Sequence, residues 1–589
     1  MKYKTFLLYG ITTVLCINSI CLVSCSKHST LETAPQSDIS TVETSIAPLP
    51  YTSEGIYFSA QSGFYAEPFT LTISSENGYD IHYTLDGSTP TIDSPLYTEP
   101  IQIIDRSAEP NHFSEYTNIS PDTIDLEAFP PKESVDKATV IRVVAVDEKG
   151  CLSPIVTNTY FIGYDEKASF YSDMKVLSLV TDEENLFDEE NGIFVLGKTY
   201  DNWVNSTVYN AETPDYAIPA NYTQKGREWE RTANLQIFEN GEPAITQNIG
   251  IRVHGGASRS FPQKSLNIYA RKEYGESKFH YDLFSGTVKS ESNGESITEF
   301  DSFMLRNGGN DAQFTRFRDR LNQTLVSDRQ FLTQGMEPCI LFINGEFWGQ
   351  YDITERIDAD YIHEHCGVSK KDVCIIKKEQ LDEGTESAYN EWLDLYEKIK
   401  KADFSDTEQY NEICSQIDIQ SFIDYVCAEL YINNDNWGKS NMAMWKCNTV
   451  DNGNPFADGK WRFIMFDTDF SSGIYGTVNA DDDSLKKLKE SSCFLGDLLN
   501  ALLNNKQFQE RFEQTRHEIT YVCFDTDRVN AQIDEFAAVY HDAAVATLTR
   551  FRSGCFSVDS AEQQFSDEVE SVRQFFNERQ KFFLLSDIN

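Results

Sequence analysis

The chain has 589 residues, 13% of them aromatic, and a formal net charge of −43 at pH 7. This length and aromatic content are sufficient for two or three hydrophobic cores. The acidic balance argues against non-specific nucleic-acid binding, and no stretch after the first 25 residues is long and apolar enough to span a bilayer. Ten of the thirteen cysteines, from Cys151 to Cys555, are scattered without a C-x-x-C pair, which argues against a structural zinc site.

The first 25 residues have the three-part layout of a secretory signal. A basic start precedes an apolar stretch, 6–23, which Asn18 interrupts, and the sequence LVSC ends at Cys25. This Leu-x-small-Cys sequence resembles a bacterial lipobox, which implies that Cys25 is diacylated and becomes the mature N-terminus. A plain signal peptide or an N-terminal membrane anchor is the alternative.

Residues 26–50 are rich in Ser, Thr and Pro and contain few large apolar side chains. Such a segment buries too little surface to fold and is typical of a disordered tether. Together with the lipidated cysteine it predicts an extracytoplasmic protein, held at the bacterial cell membrane by a lipid anchor alone.

Residues 51–163 carry the alternating pattern of short β-strands, at 69–73, 81–85 and 139–146, with Asn-Gly and Asp-Gly turn pairs between them. This pattern predicts a small all-β sandwich. The run YTLDGSTPT at 83–91 resembles the chitobiase C-terminal-type domain. The resemblance implies a spacer or a contact with cell-surface glycan, and no catalytic role.

A strand, a tight glycine turn and a second strand follow within residues 249–271, IGIRVHGGASRSFPQKSLNIYAR. Backbone N–H groups at such a turn can approach an anion. Lys264 begins the second strand, from which a lysine can reach inward to nucleotide phosphates. The alternative is a plain hairpin turn with a solvated lysine at a strand edge.

Arg306, Arg316, Arg318 and Arg320 make the most basic local patch of this acidic chain. The patch suits a triphosphate, and a surface helix with salt bridges is an equal alternative.

The sequence of residues 338–358 predicts a β-hairpin around an Asn-Gly turn.

Helical spacing of apolar residues at 383–429 leads into the most informative stretch, residues 431–476. Two apolar, strand-like runs lie within it. Asp435 precedes the first run, which begins at Asn441, and Asp467 and Asp469 end the second. A base in a loop, followed by an Asn and then by carboxylates at a strand end, is the layout that phosphoryl transfer needs. The alternative is a hairpin whose Asp and Asn residues cap turns.

The stretch 431–476 resembles the signature of the CotH (spore-coat) family of atypical protein kinases. The family pattern R-x-x-G-x-x-S-R…K-S is similar to Arg252, Gly255, Ser258, Arg259 and Lys264-Ser265 here, and the 338–358 hairpin resembles its N-G-x-Y/F-W-G-x-Y…E motif. The resemblance covers residues 170–589. It implies an α+β fold: an atypical, kinase-like two-lobed domain with a helical C-terminal part, preceded by the small all-β sandwich.

The resemblance also implies roles for the candidate residues. Asp435 would be the catalytic base, and a Mg²⁺ or Mn²⁺ ion would be held by Asn441, Asp467 and Asp469, with either aspartate as the main ligand. ATP and its phosphates would contact Lys264, Arg259, Ser258 and Glu355. Glu355 would pair with Lys264 or contact the nucleotide, unless it caps the following helix.

The predicted function is that of an extracytoplasmic, ATP-dependent protein kinase-like enzyme that transfers phosphate to Ser or Thr hydroxyls. Its partners would be ATP, a protein substrate and, through the sandwich, a cell-surface glycan, with no nucleic acid. Asn434 stands before Asp435 where ordinary kinases have Arg, and the spacing from Asp435 to Asn441 is one residue longer than theirs. The alternative function is a non-catalytic adhesin or glycan-binding lipoprotein on a kinase-like scaffold.

Overall fold

The computed structural model describes residues 51–53, 55–121 and 130–588. The predicted signal sequence 1–25, the lipidation site at Cys25 and the predicted tether 26–50 lie outside these residues. Within the described ranges, no helix combines the length and apolar character that crossing a membrane requires.

Nine strands form the N-terminal all-β region: β1 (Tyr51–Ser53), β2 (Ile56–Phe58), β3 (Gly63–Tyr65), β4 (Phe69–Leu71), β5 (Ile73–Ser75), β6 (Asp80–Thr84), β7 (Ile101–Ile103), β8 (Thr139–Val146) and β9 (Val156–Ile162). They make three small sheets, ordered β1-β2-β5, β3-β9-β8-β6 and β4-β7. Apolar side chains that alternate along the strands meet in one core between the sheets, which includes Phe58, Ile141 and Tyr160. The predicted all-β region is therefore present.

Nine further strands follow: β10 (Lys175–Val180), β11 (Arg231–Glu239), β12 (Glu242–His254), β13 (Ser265–Tyr269), β14 (Phe279–His280), β15 (Glu299–Phe300), β16 (Ser302–Arg306), β17 (Met336–Ile343) and β18 (Glu346–Glu355). Seven of these strands close a barrel in the order β10-β11-β12-β13-β16-β18-β17. The barrel closes through the parallel pair of β10 and β17, and β14 pairs with β15 alone.

The predicted hairpin at 338–358 is confirmed as β17 and β18. Its turn residues Asn344 and Gly345 have φ values of 48° and 85°. A two-residue turn with positive φ at both positions matches the twist of the flanking strands, and Asn-Gly is the pair that adopts it most readily.

A second sheet contains β19 (Val373–Lys377), β20 (Gln380–Glu383), β21 (Ala443–Cys447) and β22 (Arg462–Ile464), in the order β20-β19-β21-β22. The helices are α1 (Phe170–Asp173), α2 (Glu183–Phe187), α3 (Gly197–Val204), α4 (Arg318–Leu325), α5 (Ala359–Cys366), α6 (Glu386–Ile399), α7 (Thr407–Gln416), α8 (Ile419–Ile432), α9 (Ser484–Lys489), α10 (Phe494–Leu502), α11 (Lys506–Glu518), α12 (Thr526–Phe551) and α13 (Val558–Phe582). The prediction of a mixed α+β fold behind an all-β region is confirmed.

Helix α8 is the buried axis of the helical part. Every residue of the helix except Gln420 is buried, because neighbouring helices and β22 enclose it in the largest apolar core. Asp418 caps its N-terminus by accepting a hydrogen bond from Ser421 N, and Asn433 ends it with a left-handed backbone (φ 53°). The end of this rigid helix therefore fixes the position of Asn434 and Asp435.

Candidate active site

A cleft with a strong positive charge lies between the barrel and the second sheet. It encloses a cavity of 440 Å³. The charged side chains along it are Lys225, Arg252, Arg259, Arg306, Arg356, Lys377, Lys378, Asp382 and Asp467. We call this the basic cleft. Seven cationic groups and two carboxylates line it, in a chain of net charge −43, and a local excess of cations of this kind suits an anion.

The lining of the basic cleft also includes apolar side chains. Met304 from β16, Tyr269 from β13, Ile357 and Phe466 contribute side chains to its lining. Aliphatic and aromatic side chains of this kind can pack against a planar ring, although the Tyr269 ring already has the Arg252 guanidinium 4.4 Å from its centre.

Arg306, the last residue of β16, holds three carboxylates together. Its Nη2 lies 2.8 Å from Asp467 Oδ1, 3.1 Å from Asp469 Oδ2 and 3.3 Å from Asp319 Oδ2. Burial alone would raise the pKa of Asp467, but the Arg306 guanidinium outweighs burial and lowers it. Burial, together with the negative charge of Asp467, raises the pKa of Asp469 to about 8. The two aspartates therefore differ in charge near neutral pH.

The loop after β16 supports Asp469. Asn310 donates two hydrogen bonds to this carboxyl, from its backbone N (3.1 Å) and from Nδ2 (2.8 Å). Gly309 has φ 56°, and a Cβ at this position would overlap with Asp469 Oδ2. The glycine is therefore required both by its backbone conformation and by its close approach to the carboxyl. The Asn-Gly-Gly-Asn run was visible in the sequence, yet its contact with a carboxyl more than 150 residues later was not.

Asp435 and Asn441 lie beside the same strand end. The backbone N of Asp435 donates to Phe470 O (3.0 Å), and Asn441 Nδ2 donates to Asp467 O (3.4 Å) and to Asn436 Oδ1 (2.8 Å). The Asp435 side chain is 44% exposed and lies 3.5 Å from Lys487 Nζ. The structure thus brings the backbone of the predicted base and the amide of Asn441 close to the segment that carries both aspartates, but of these four residues only Asp467 lines the basic cleft.

These residues fit a divalent cation at Asp467. Its side chain is 35% exposed and ionised, and the amide oxygen of Asn441 is not used by the hydrogen bonds that its Nδ2 makes. Carboxylate and amide oxygens are the ligands that Mg²⁺ and Mn²⁺ prefer. Asp469 is 2% exposed and already held by Arg306 and Asn310. Across the described residues, no three His, Cys, Asp or Glu side chains are grouped in a metal-binding arrangement, so such an ion would depend on the nucleotide for further ligands.

The predicted phosphate contact of Lys264 is wrong. Its side chain is fully buried, and Nζ donates to three backbone carbonyl oxygens, Ile119 O (2.7 Å), Arg259 O (2.8 Å) and Phe261 O (2.9 Å). The ammonium also lies 3.9 Å from the centre of the Tyr222 ring. Burial lowers its pKa well below the ordinary value. The turn before β13 wraps around this lysine, which therefore holds the loop in place and does not line the cleft.

The predicted pairing of Glu355 with Lys264 is also wrong. Glu355 accepts hydrogen bonds from His365 Nε2 (2.9 Å) and Gly335 N (2.8 Å). It lines a separate cavity and is absent from the lining of the basic cleft. The following helix α5 is capped by Asp358, so Glu355 is not its cap. Its role is to tie the end of β18 to α5.

Arg259 reaches the basic cleft, whereas Ser258 does not contribute to its lining. Arg259 is partly committed to the turn, because Nε donates to Gly255 O (2.7 Å) and Nη1 donates to Tyr222 O (2.9 Å). Burial lowers its pKa to about 10. Ser258 lies under the same turn, where its Oγ occupies the space that a Cβ on Gly255 would need.

The arginine patch separates into one site residue and three structural residues. Arg306 lines the basic cleft, whereas Arg316, Arg318 and Arg320 do not. Arg316 donates to the backbone oxygens of Asn307 and Gln350, Arg318 pairs with Asp311 at 3.1 Å, and Arg320 covers the Phe536 ring. Six of the eight residues of α4 are buried, so α4 is not a surface helix.

Four cationic residues of the cleft were not foreseen as site residues. Lys377 and Lys378 lie at the turn between β19 and β20, Arg356 follows β18, and Lys225 precedes β11. The Lys-Lys pair follows an apolar run, a pattern that is typical of the end of a strand. Nothing in the sequence indicated that the second sheet turns this end towards the barrel.

The comparisons with known proteins agree with this architecture. The family model described as CotH kinase protein matches residues 251–583, and the model described as Fn3 associated matches residues 69–160. A search of curated proteins found no match. The first match covers the basic cleft from β12 onwards, Asp435, Asn441, both strand-end aspartates and all of the later helices. It spans more than half of the chain, and the protein therefore belongs to the CotH kinase protein family.

Proposed function

We propose that this protein is a phosphotransferase that moves the γ-phosphoryl group of ATP to Ser or Thr hydroxyls of a protein, with Mg²⁺ or Mn²⁺. The observation that carries the proposal is the basic cleft, in which seven cationic side chains and an apolar lining end at the ionised carboxylate of Asp467. A nucleoside triphosphate has matching parts: a planar base, several phosphate charges and an affinity for a divalent cation.

The cationic residues of the cleft would bind the phosphates. Five of them, Lys377, Lys378, Arg356, Arg252 and Arg259, would neutralise phosphate oxygens. Bound at Asp467 and Asn441, a divalent cation would add positive charge where the transferred group accumulates negative charge.

Arg306 would act as a positioning residue. Because its guanidinium holds Asp467 and Asp469 at 2.8 and 3.1 Å, the carboxylate that would bind the cation is fixed before ligands arrive. Such pre-organisation lowers the cost of reorganisation during the reaction.

Asp435 would orient the acceptor hydroxyl and accept its proton. The side chain is 44% exposed, and its backbone is tied to the segment that follows Asp469. A carboxylate at hydrogen-bonding distance from the attacking hydroxyl is the expected arrangement for general-base assistance.

The lipid anchor is part of the same proposal. We infer from LVSC at 22–25 that Cys25 is lipidated and that the enzyme works outside the cytoplasm, tethered to the cell membrane. Its protein substrate would then be a surface or envelope protein, and the all-β region would serve as a spacer or contact glycan.

The experiment is a transfer assay with γ-labelled ATP, using autophosphorylation and Ser-rich acceptor proteins. Asp435→Asn should keep ATP binding while phosphate transfer falls by roughly 10²-fold or more, as expected for loss of a general base. Asp481→Asn, an exposed change of the same chemistry, is the matched control and should leave transfer unchanged. Transfer by Asp435→Asn at the parent rate would remove Asp435 from the mechanism.

A further inference from the structure

A second cavity, of 340 Å³, includes Asp435 in its lining and shares no lining residue with the basic cleft. Its lining consists of Glu429, Leu430, Asn433, Asn434, Asp435, Trp437, Gly438, Lys439, Ser484, Lys487, Leu488, Ser491, Ser492 and Cys493. We call it the Glu429 cavity. Its volume is within the range of small-ligand sites and suits one amino-acid side chain with part of its backbone.

Two polar side chains form the buried end of this cavity. Glu429 is completely buried and Asn434 is 8% exposed, and Asn434 Nδ2 donates to Glu429 Oε2 at 3.0 Å. Among the described residues, no group hydrogen bonds to Glu429 Oε1 or to Asn434 Oδ1. Buried polar atoms normally have partners, so these two atoms are the recognition groups that the cavity offers.

The charge of the cavity favours a neutral guest. Burial raises the pKa of Glu429 well above its ordinary value, and the nearby carboxylates Asp319 and Asp467 act in the same direction. At the exposed end, Asp435 lies 3.5 Å from Lys487 Nζ, and Lys439 adds a second cation. Charges of both signs lie at this exposed end, whereas the buried end at Glu429 and Asn434 offers no countercharge to an ionic guest.

The hydrogen-bonding groups of the cavity further restrict the chemical class of ligand that it can bind. A protonated Glu429 offers an O–H donor, and Asn434 Oδ1 offers an acceptor. A primary carboxamide has the complementary pair, a C=O acceptor and N–H donors. The apolar side chains of Leu430, Trp437 and Leu488 line the same space and suit the methylene groups that carry such an amide.

We propose that the Glu429 cavity binds an Asn or Gln side chain of the acceptor polypeptide, close to the hydroxyl that Asp435 would orient. The identification of this polypeptide as the phosphate acceptor rests on the proposed phosphotransferase function. The cavity itself predicts a polypeptide ligand with a neutral amide whether or not phosphate is transferred.

The test measures peptide binding by fluorescence anisotropy with the full chain. The peptides have Ala in place of the acceptor Ser and differ at one position, which carries Gln, norleucine, Lys or Glu and is scanned across the two residues on each side of the Ala. At one position, Gln should bind about tenfold more tightly than norleucine, as two net hydrogen bonds allow. Lys and Glu should bind no more tightly than norleucine.

Two variants assign the preference to the cavity. Asn434→Leu removes the acceptor, and Ser492→Trp blocks the cavity from an exposed position that the fold tolerates more easily. Both should reduce the preference for Gln to within about twofold. Ser405→Trp, an exposed change elsewhere, should keep the parent preference.

The outcomes separate this proposal from the proposed function. Equal binding of all four peptides, tightest binding of the Lys or Glu peptide, or an unchanged Gln preference in both cavity variants overturns the proposal. Transfer of phosphate to the Ser-containing Gln peptide is measured separately. A Gln preference without transfer supports the cavity assignment and contradicts the kinase function, and transfer without a Gln preference does the reverse.

Discussion

Lys264 and Lys377 show how burial decides the role of a lysine. Lys264 is enclosed by three carbonyl oxygens, whereas Lys377 lines the basic cleft. Lys264→Met should lower the free energy of unfolding by about 3 kcal/mol or more, because three buried carbonyl oxygens lose their N–H donor. Lys377→Met should weaken ATP binding severalfold with little change in stability.

Urea unfolding and ATP titration of both variants measure this contrast. The two lysine variants serve as controls for each other, since each removes one ammonium group. A Lys264→Met protein of parental stability that has lost ATP affinity would restore the phosphate role predicted from the sequence.

Gly309 tests whether the support of Asp469 matters for nucleotide binding. Gly309→Ala introduces a Cβ that overlaps with Asp469 Oδ2, at a residue whose φ of 56° already disfavours a side chain. We expect a loss of about 1–3 kcal/mol in stability and a loss of ATP affinity of about tenfold or more.

Gly476→Ala is the matched control for this change. Gly476 has φ 62°, and a Cβ there meets no atom within 4 Å, so the variant carries the backbone cost without the clash. ATP affinity should change in Gly309→Ala alone. Equal losses of affinity in the two variants would mean that backbone strain, and not the position of Asp469, causes the effect.

Residues close in sequence to the chemistry were predictable, and residues that act through tertiary contacts were not. Asp435, Asn441, Asp467 and Asp469 could be grouped because two adjacent strands bring their ends together. The position of Lys264 depends on how residues 259–263 wrap around its ammonium, and the partner of Glu355 comes from α5. Neither contact leaves a periodic pattern in the sequence.

At the scale of elements, Asp352 connects β18 to α12. It is buried, accepts hydrogen bonds from Tyr540 Oη (2.7 Å) and Gln350 Nε2 (3.1 Å), and burial raises its pKa to about 6. Between the unfolded value, about 4, and about 6, the folded protein binds more protons than the unfolded chain. The contribution of this residue to the free energy of unfolding therefore falls as pH rises through that window.

Asp352→Asn removes this ionisation and keeps an acceptor for Tyr540. Relative to the parent, the variant should gain stability from pH 4 to pH 7, by roughly 3 kcal/mol at most. Urea unfolding at pH 4, 5, 6 and 7 measures the difference, with the exposed Asp534→Asn as control. A difference between Asp352→Asn and the parent that is constant across this range would contradict the prediction.

Local elements followed from the sequence, but their assembly did not. The β17–β18 hairpin and helices α6, α8 and α10 were readable because turn residues and apolar spacing are local signals. Closure of the barrel depends on the parallel pair β10–β17, whose strands are separated by more than 150 residues. The pairing of such distant strands is set by packing and leaves no local signal.

At the scale of the whole molecule, the all-β region and the barrel share an apolar interface. The Phe161 ring of β9 lies 5.1 Å from Phe342 and 5.2 Å from Phe238, and Thr159 Oγ1 lies 2.8 Å from Ser178 Oγ. This contact explains why β8 and β9 are buried along nearly their whole length.

We therefore expect the two parts to unfold together in one thermal transition. Phe161→Ala should lower its free energy of unfolding by about 3–5 kcal/mol. The Phe58 ring lies in the core of the all-β region. Phe58→Ala should lower the midpoint temperature of the same single transition. Calorimetry that resolves two transitions, with Phe58→Ala moving only one, would mean that the regions are energetically independent.

The account as a whole depends on the basic cleft binding ATP with a divalent cation at Asp467. Calorimetric titration of ATP into the full chain, with Mg²⁺, with Mn²⁺ and with neither, tests this most directly. We predict cation-dependent binding that Asp467→Asn weakens by at least about tenfold. Asp458→Asn, which removes a carboxylate of similar side-chain exposure (34% against 35%) that pairs with Arg462 outside the cleft, should leave it unchanged. No ATP binding with either cation, or equal binding by Asp467→Asn, would contradict the account and favour a non-catalytic binding protein.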